Sequence, residues 1–139
     1  NDIPVQILTK GGLRATRDFD ILKKDPRNKF SVTLTTDDAA ESLEWEPGAA
    51  LPEERIESLR MAHGLGISTW VSFEPVFNPD AVMRLIDATH EFVDLYKVGK
   101  LNYHPISKTI DWRDFRVEVE SLLTSLGKNF YIKDDLRKF

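Results

Sequence analysis

Ile67-Ser-Thr-Trp-Val-Ser-Phe-Glu-Pro-Val-Phe77 alternates in character from one residue to the next. Val71 and Phe73 fall on one side, and Trp70, Ser72 and Glu74 fall on the other. A period of two is that of a β-strand. One side can pack under helices, while the other carries a carboxylate. Pro75 has no N–H to donate and is expected to end the pairing. A helix start follows at once: Asn78, Pro79 and Asp80 supply a cap, a first-turn proline and an acid for the positive helix end. A strand that ends in polar residues and runs into a helix is the unit of a βα fold. Such folds place their chemistry at the C-terminal ends of the strands.

The same unit recurs on both sides of this stretch. Pro4 to Lys10 reads as a strand with Val5 and Ile7 on one side and Gln6, Leu8 and Lys10 on the other, broken by Gly11-Gly12. Thr16 is placed to cap a short helix carrying Phe19 and Leu22, which Asp25-Pro26 stops. Phe30 to Thr36 is the second strand, with Phe30, Val32 and Leu34 opposite Ser31, Thr33 and Thr35. Asp37 to Leu51 reads as a long loop, a length that often accompanies function. Pro52, Glu53 and Glu54 open a helix whose stripe is Ile56, Leu59 and Ala62, and Gly64 and Gly66 close it. After the Trp70 strand come a helix with Val82, Leu85, Ile86 and Ala88 inward and a strand from Phe92 to Leu101. Asp111 then opens a helix with the stripe Phe115, Val119, Leu122 and Leu126, and Asn129 to Lys133 is a last short strand. The charged tail, Asp134 to Phe139, is expected to fray.

Regular alternation of strand and helix implies an α/β fold of parallel strands with helical crossovers. Five strands and four helices are too few for an eight-stranded barrel. The chain is therefore expected to form a single (βα) half-barrel over residues 1–139, the C-terminal half of a partial TIM barrel.

Composition narrows the function classes. Of 139 residues, 41% are hydrophobic and 30% charged, values of an ordinary globular domain. The formal net charge of −4 argues against a broad nucleic-acid-binding surface, although a local basic groove is compatible with it. No apolar run approaches the roughly 20 residues of a membrane span. Asn1-Asp2-Ile3 lacks the basic start of a signal peptide, so a cytoplasmic location is expected. The absence of cysteine removes disulfides, thiolate catalysis and thiolate-held metal from this chain.

The order of motifs resembles a known family. Val5-Gln-Ile-Leu-Thr-Lys10 with Gly11-Gly12, and Phe30 to Thr36, are similar to successive strands of radical S-adenosylmethionine enzymes. The branch most alike is the one related to spore photoproduct lyase and DNA repair photolyase-like proteins. Leu43-Glu-Trp-Glu-Pro-Gly-Ala-Ala-Leu-Pro-Glu-Glu-Arg55 is similar to that branch's Glu-Pro segment and downstream Arg, and Gly64-Leu-Gly-Ile67, Glu74-Pro75 and Val98-Gly-Lys-Leu-Asn102 continue the match. The resemblance implies a parent that holds a [4Fe–4S] cluster and S-adenosylmethionine and abstracts hydrogen from a substrate, with damaged DNA as the substrate suggested by the branch. The family's cluster-binding cysteines and its glycine-rich acidic motif are absent here. The chain alone is thus expected to bind no cluster or cofactor and to be inactive, and its expected partner is the missing N-terminal half of the barrel.

Strand parity puts Lys10, Thr33, Thr35, Ser72, Glu74 and Lys97 on the side away from the helices. Under the resemblance, Lys10, Thr33, Thr35 and Glu74 contribute to the cofactor site: Lys10 through its ammonium on the methionine carboxylate, Thr35 on that carboxylate or a ribose hydroxyl. The plainer readings are a solvated strand-end lysine and a threonine chosen for β-propensity. Glu74 has two readings, an adenosine contact or an answer to a buried lysine such as Lys97. Lys97, Asn102 and His104 are candidate substrate contacts. Glu46 and Arg55 read as a structural ion pair clamping the long segment onto its helix. Trp45, Trp70 and Trp112 read as packing, and the histidines show no metal-ligand spacing, so no metal ligand and no catalytic residue is assigned. The reading from a different class is a non-catalytic α/β module that binds a partner or self-associates through open sheet edges.

Overall fold

A computed structural model describes residues 2–139. Among the described residues there are five strands: β1 (Gln6–Thr9), β2 (Lys29–Thr33), β3 (Ser68–Val76), β4 (Leu95–Lys100) and β5 (Asn129–Ile132). All are parallel, and they lie side by side in the order of the chain, β1-β2-β3-β4-β5. The crossovers carry helices α1 (Phe19–Leu22), α2 (Ala39–Trp45), α3 (Pro52–Gly64), α4 (Pro79–Thr89) and α5 (Trp112–Ser125), and α6 (Asp134–Arg137) follows β5. A strand order that never doubles back is the topology of a (βα) barrel wall.

One face of the sheet and the helices share a single core. Phe30, Val32, Val71, Phe73, Tyr96, Val98 and Ile132 bury against Leu59, Ala62, Val82, Leu85, Ile86, Phe115, Val119 and Leu123. Burying each large apolar side chain is worth about 1.5–3 kcal/mol, so this layer holds the sheet to its helices. Phe73 and Tyr96 stack nearly parallel with centroids 5.5 Å apart. The Tyr96 hydroxyl shares a buried 2.7 Å hydrogen bond with Thr89, and burial holds this phenol above its usual range. Side-chain caps start three helices: Asp38 accepts from Glu41 N–H, Asn78 from Ala81 N–H and Asp111 from Asp114 N–H. No described helix is long and apolar enough to cross a membrane.

Several expectations are corrected. The segment 37–51 is not simply a loop, because it contains α2, capped by Asp38. Its apolar period is hard to see because Ser42 is its one buried residue and Leu43 faces solvent. Thr16 caps no helix; its hydroxyl donates to Leu13 C=O inside a 3-10 segment, Gly12–Asp18. The fourth strand begins at Leu95 rather than Phe92, after a 3-10 turn at His90–Phe92. Pro75 does not end the pairing of β3. The register shifts between Phe73 and Val76, and pairing resumes at Val76 with Lys100, a bulge that accommodates the residue without an N–H. The tail does not fray as expected: it forms α6, and Leu136 is fully buried.

Gly12 fixes the end of β1 against the start of α3. Its φ is +58°, and a Cβ there would lie 2.6 Å from Ala50 Cβ and 3.0 Å from Glu54 Cβ. Ala50 N–H donates to Lys10 C=O across the same junction. Gly12→Ala should cost about 2 kcal/mol or more, combining overpacking with a left-handed backbone. Gly48→Ala has φ +85° but open space, so it should carry the backbone cost alone. Chemical denaturation of the two variants checks the difference.

Candidate functional site

The helix-free face is polar in rows that follow the strand register. Thr33, Ser72, Lys97 and Tyr131 are successive cross-strand partners on β2, β3, β4 and β5. Lys10 follows Thr9, which pairs with Val32, so it extends this row beside Thr33. Nearer the C-terminal strand ends lie Thr35, Glu74, Gly99 and Lys133. Side chains that point away from an apolar helix layer need hydrogen-bonding or charged partners, and those partners divide the face into two ends.

At the β1–β2 end everything converges on Glu46, the residue that caps the C-terminus of α2. Lys10 Nζ lies 2.6 Å from Glu46 Oε2, Thr35 Oγ1 donates to Oε1 at 2.7 Å, and Arg55 donates to Oε1 at 3.0 Å. Arg55, 1% exposed, also donates to Ala50 C=O, Thr33 C=O and Ser42 Oγ. So one guanidinium ties α3 to β2 and to α2 and aims Glu46 at the strand ends. Burial pushes the Glu46 carboxyl up, but Lys10, Thr35 and Arg55 together outweigh it and hold the group below its ordinary range. The site is two cations on one carboxylate, a net positive charge, with the Lys10 side chain 44% exposed.

A depressed carboxyl stabilises the fold at pH above its unfolded-state pKa, and that stabilisation is lost as pH falls through the folded-state value. Lowering pH from neutral to well below the ordinary glutamate pKa of about 4.3 should therefore destabilise the wild type. Glu46→Gln should lose part of that dependence. Urea midpoints measured across this range check it.

At the β3–β5 end, Glu74 pairs with Lys133 at 2.9 Å, and this contact raises the Lys133 ammonium's pKa. The carboxylate reaches across Gly99, where a Cβ would come within 3.1–3.2 Å of the Glu74 side chain. Glu74 therefore does not answer Lys97, as one reading had it. Lys97 Nζ instead sits 3.9 Å from a Trp70 ring centroid. Sequence reasoning missed Lys133 because a residue assigned to a final strand gave no sign of a partner two strands away.

Asn102 and His104 lie on the loop after β4. Asn102 accepts from Lys100 Nζ and donates to Asp135. His104 Nδ1 accepts from Ile106 N–H, and its ring lies 5.0 Å from Trp45, which stacks on Phe77 at 4.1 Å. The loops after β2, β3 and β4 thus meet in one aromatic contact at the C-terminal rim. Tyr103, which with His104 follows the strand end as a candidate substrate contact, is fully exposed there at φ +57°. Lys10, Thr35, Glu46 and Arg55 form one cluster, Glu74, Lys97 and Asn102 lie toward the other end, and His104 reaches back to α2 through Trp45. Among the described residues, no group of three or more His, Cys, Asp or Glu side chains is placed to share a metal ion.

Comparison with known proteins finds relatives by shape alone. The chain matches no protein-family profile and no curated protein sequence. Solved structures of Streptococcus suis SuiB do match: the form bound to S-adenosylmethionine has a TM-score of 0.71 at 18% identity, and the form bound to the precursor peptide SuiA has 0.72 at 19%. Each alignment covers 94% of this chain but only 32% of SuiB. The likeness shows the fold, parallel (βα) units of a partial barrel, in a chain that spans about a third of the length of its structural neighbours.

Proposed function

We propose that this chain forms part of the barrel of a radical S-adenosylmethionine enzyme and supplies one wall of its cofactor and substrate site. The observation that carries the reading is the Lys10–Glu46–Arg55–Thr35 cluster at the C-terminal ends of β1 and β2. Active sites of (βα) folds lie at that end. The fold shared with SuiB solved with S-adenosylmethionine adds support.

The cluster fits the methionine carboxylate of the cofactor. Lys10 carries three donors, of which Glu46 uses one direction, and the net positive charge accepts a further anion. Arg55 is too buried to reach a ligand. Thr35 is 2% exposed and gives its proton to Glu46, so it positions Glu46 and thereby Lys10. Thr33 and Glu74 complete the same wall. When bound beside an iron–sulfur cluster, S-adenosylmethionine supplies an organic radical that abstracts hydrogen. The cluster itself does not fit these residues: with no cysteine in the sequence, its thiolate ligands must come from residues outside this chain.

Lys97, Asn102 and His104, together with the exposed Tyr103, face the substrate in this reading. SuiB solved with its precursor peptide supports a peptide ahead of the damaged DNA suggested by the resemblance. Hydrogen–deuterium exchange of the cluster-loaded parent protein, with and without S-adenosylmethionine, tests the placement. Protection should concentrate in the peptides spanning 8–14 and 34–48. Protection at the opposite strand ends, around Gln6, Lys29 and Ser68, would refute it.

A further inference from the structure

The cations of the helix-free face are not equally satisfied. Lys10 has Glu46 at 2.6 Å and Lys133 has Glu74 at 2.9 Å. Lys97, in the middle of the row, has no carboxylate within ion-pair distance among the described residues; its ammonium rests on the Trp70 ring. A π face offsets part of the cost of desolvating an ammonium but neutralises no charge. The groups beside it are donors as well. The Ser72 and Thr33 hydroxyls engage no partner among the described residues, and Tyr131 follows Lys97 in register on β5. Trp70 is 5% exposed, and its indole N–H is buried without an acceptor. Unpaired buried donors are rare because each leaves its desolvation cost uncompensated. An ammonium over the Trp70 ring face, beside hydroxyl-bearing residues in register and with the nearby carboxylate already committed to Lys133, lacks an anionic partner, and the same ring carries an orphaned N–H.

We propose that Lys97, flanked in register by Ser72 and by Tyr131, whose ring carries the Arg137 guanidinium at 5.1 Å, and with the Trp70 ring beneath, is an oxyanion subsite that takes a carboxylate or phosphate group of the substrate. The proposal rests on the reading of this face as the substrate wall, and it names the substrate's chemistry: an anionic group three strands away from the cofactor cluster on Lys10. The oxyanion neutralises the one unpaired ammonium of the row and draws it off the indole.

The 139-residue chain, isotope-labelled for nuclear magnetic resonance, is titrated with acetate and, separately, with inorganic phosphate at constant ionic strength. The Trp70 indole N–H and the amides of Ser72 and Lys97 should shift saturably, while the Trp112 indole, which donates to Ser107 C=O, should stay still. A response to acetate marks a carboxylate, and one to phosphate marks a phosphoryl group; either supports the subsite. Lys97→Met should weaken the response about 10- to 100-fold, the loss of one charge-assisted hydrogen bond. Lys97→Arg should retain it. Absence of a saturable shift in the wild type, or an equal shift in Lys97→Met, would overturn the proposal. A response that follows Lys10→Met instead places the ion at the cofactor cluster, which removes the Lys97 subsite and leaves the cofactor reading standing.

Discussion

Arg55→Met should destabilise the chain by about 3–5 kcal/mol, the cost of stranding one partner of a buried pair. Small domains have only about 5–15 kcal/mol in total. The substitution keeps most of the side-chain volume, so little of the loss comes from packing. What is lost is a set of four acceptors: Ala50 C=O, Thr33 C=O, Ser42 Oγ and the Glu46 carboxylate. Three are oxygens of α2, β2 and the approach to α3, elements that no continuous backbone ladder joins. Glu46 would keep Lys10 and Thr35, yet Lys10 is half-exposed and a weaker anchor. Arg55→Lys should rescue little, because one ammonium cannot serve a fork of carbonyls on two sides. Glu46→Leu combined with Arg55→Met should cost less than the two single changes added together, since the buried charge disappears with its partner. Urea midpoints of the four proteins measure this.

The same pair shows what could be read from the sequence. Glu46 and Arg55 are nine residues apart in a stretch with proline at both Pro47 and Pro52, so a clamp between them is a local inference. Strand parity was legible for the same reason: alternation in 30–36 and 67–74 needs only neighbours. The buried members Phe30, Val32, Val71 and Phe73 all lie on the face that parity gave them. Lys10 and Thr35 could be assigned to adjacent strands but not to a shared carboxylate, because Glu46 reaches them from the far end of a helix that the apolar pattern hid. A signal for that helix was present. Asp38 with Glu41 three residues on is a cap sequence, and the run Ala39-Ala-Glu-Ser-Leu-Glu-Trp45 favours helix.

Contacts across the sheet were less legible. Glu74 meets Lys133 only because Gly99 leaves the space between them empty, and a glycine read near a strand end shows nothing of what lies over it. The tail failed for a similar reason. Asp134 to Phe139 is mostly charged, and one buried residue, Leu136, decides that it docks. A single apolar side chain carries no period.

S-adenosylmethionine affinity, measured by calorimetry on the cluster-loaded parent protein, reads directly whether the Lys10 ammonium holds a cofactor carboxylate as proposed. Lys10→Met keeps the side-chain stem and removes the charge. Arg55 and Thr35 still hold Glu46 in place, so the fold should survive, and a denaturation midpoint verifies it. Losing an ammonium–carboxylate hydrogen bond should weaken binding about 10- to 100-fold. Lys10→Arg should restore most of it. Binding weakened about 10- to 100-fold in a folded Lys10→Met protein, with rescue by arginine, is the expected result; affinity equal to wild type in that folded variant would return Lys10 to a solvated strand-end lysine.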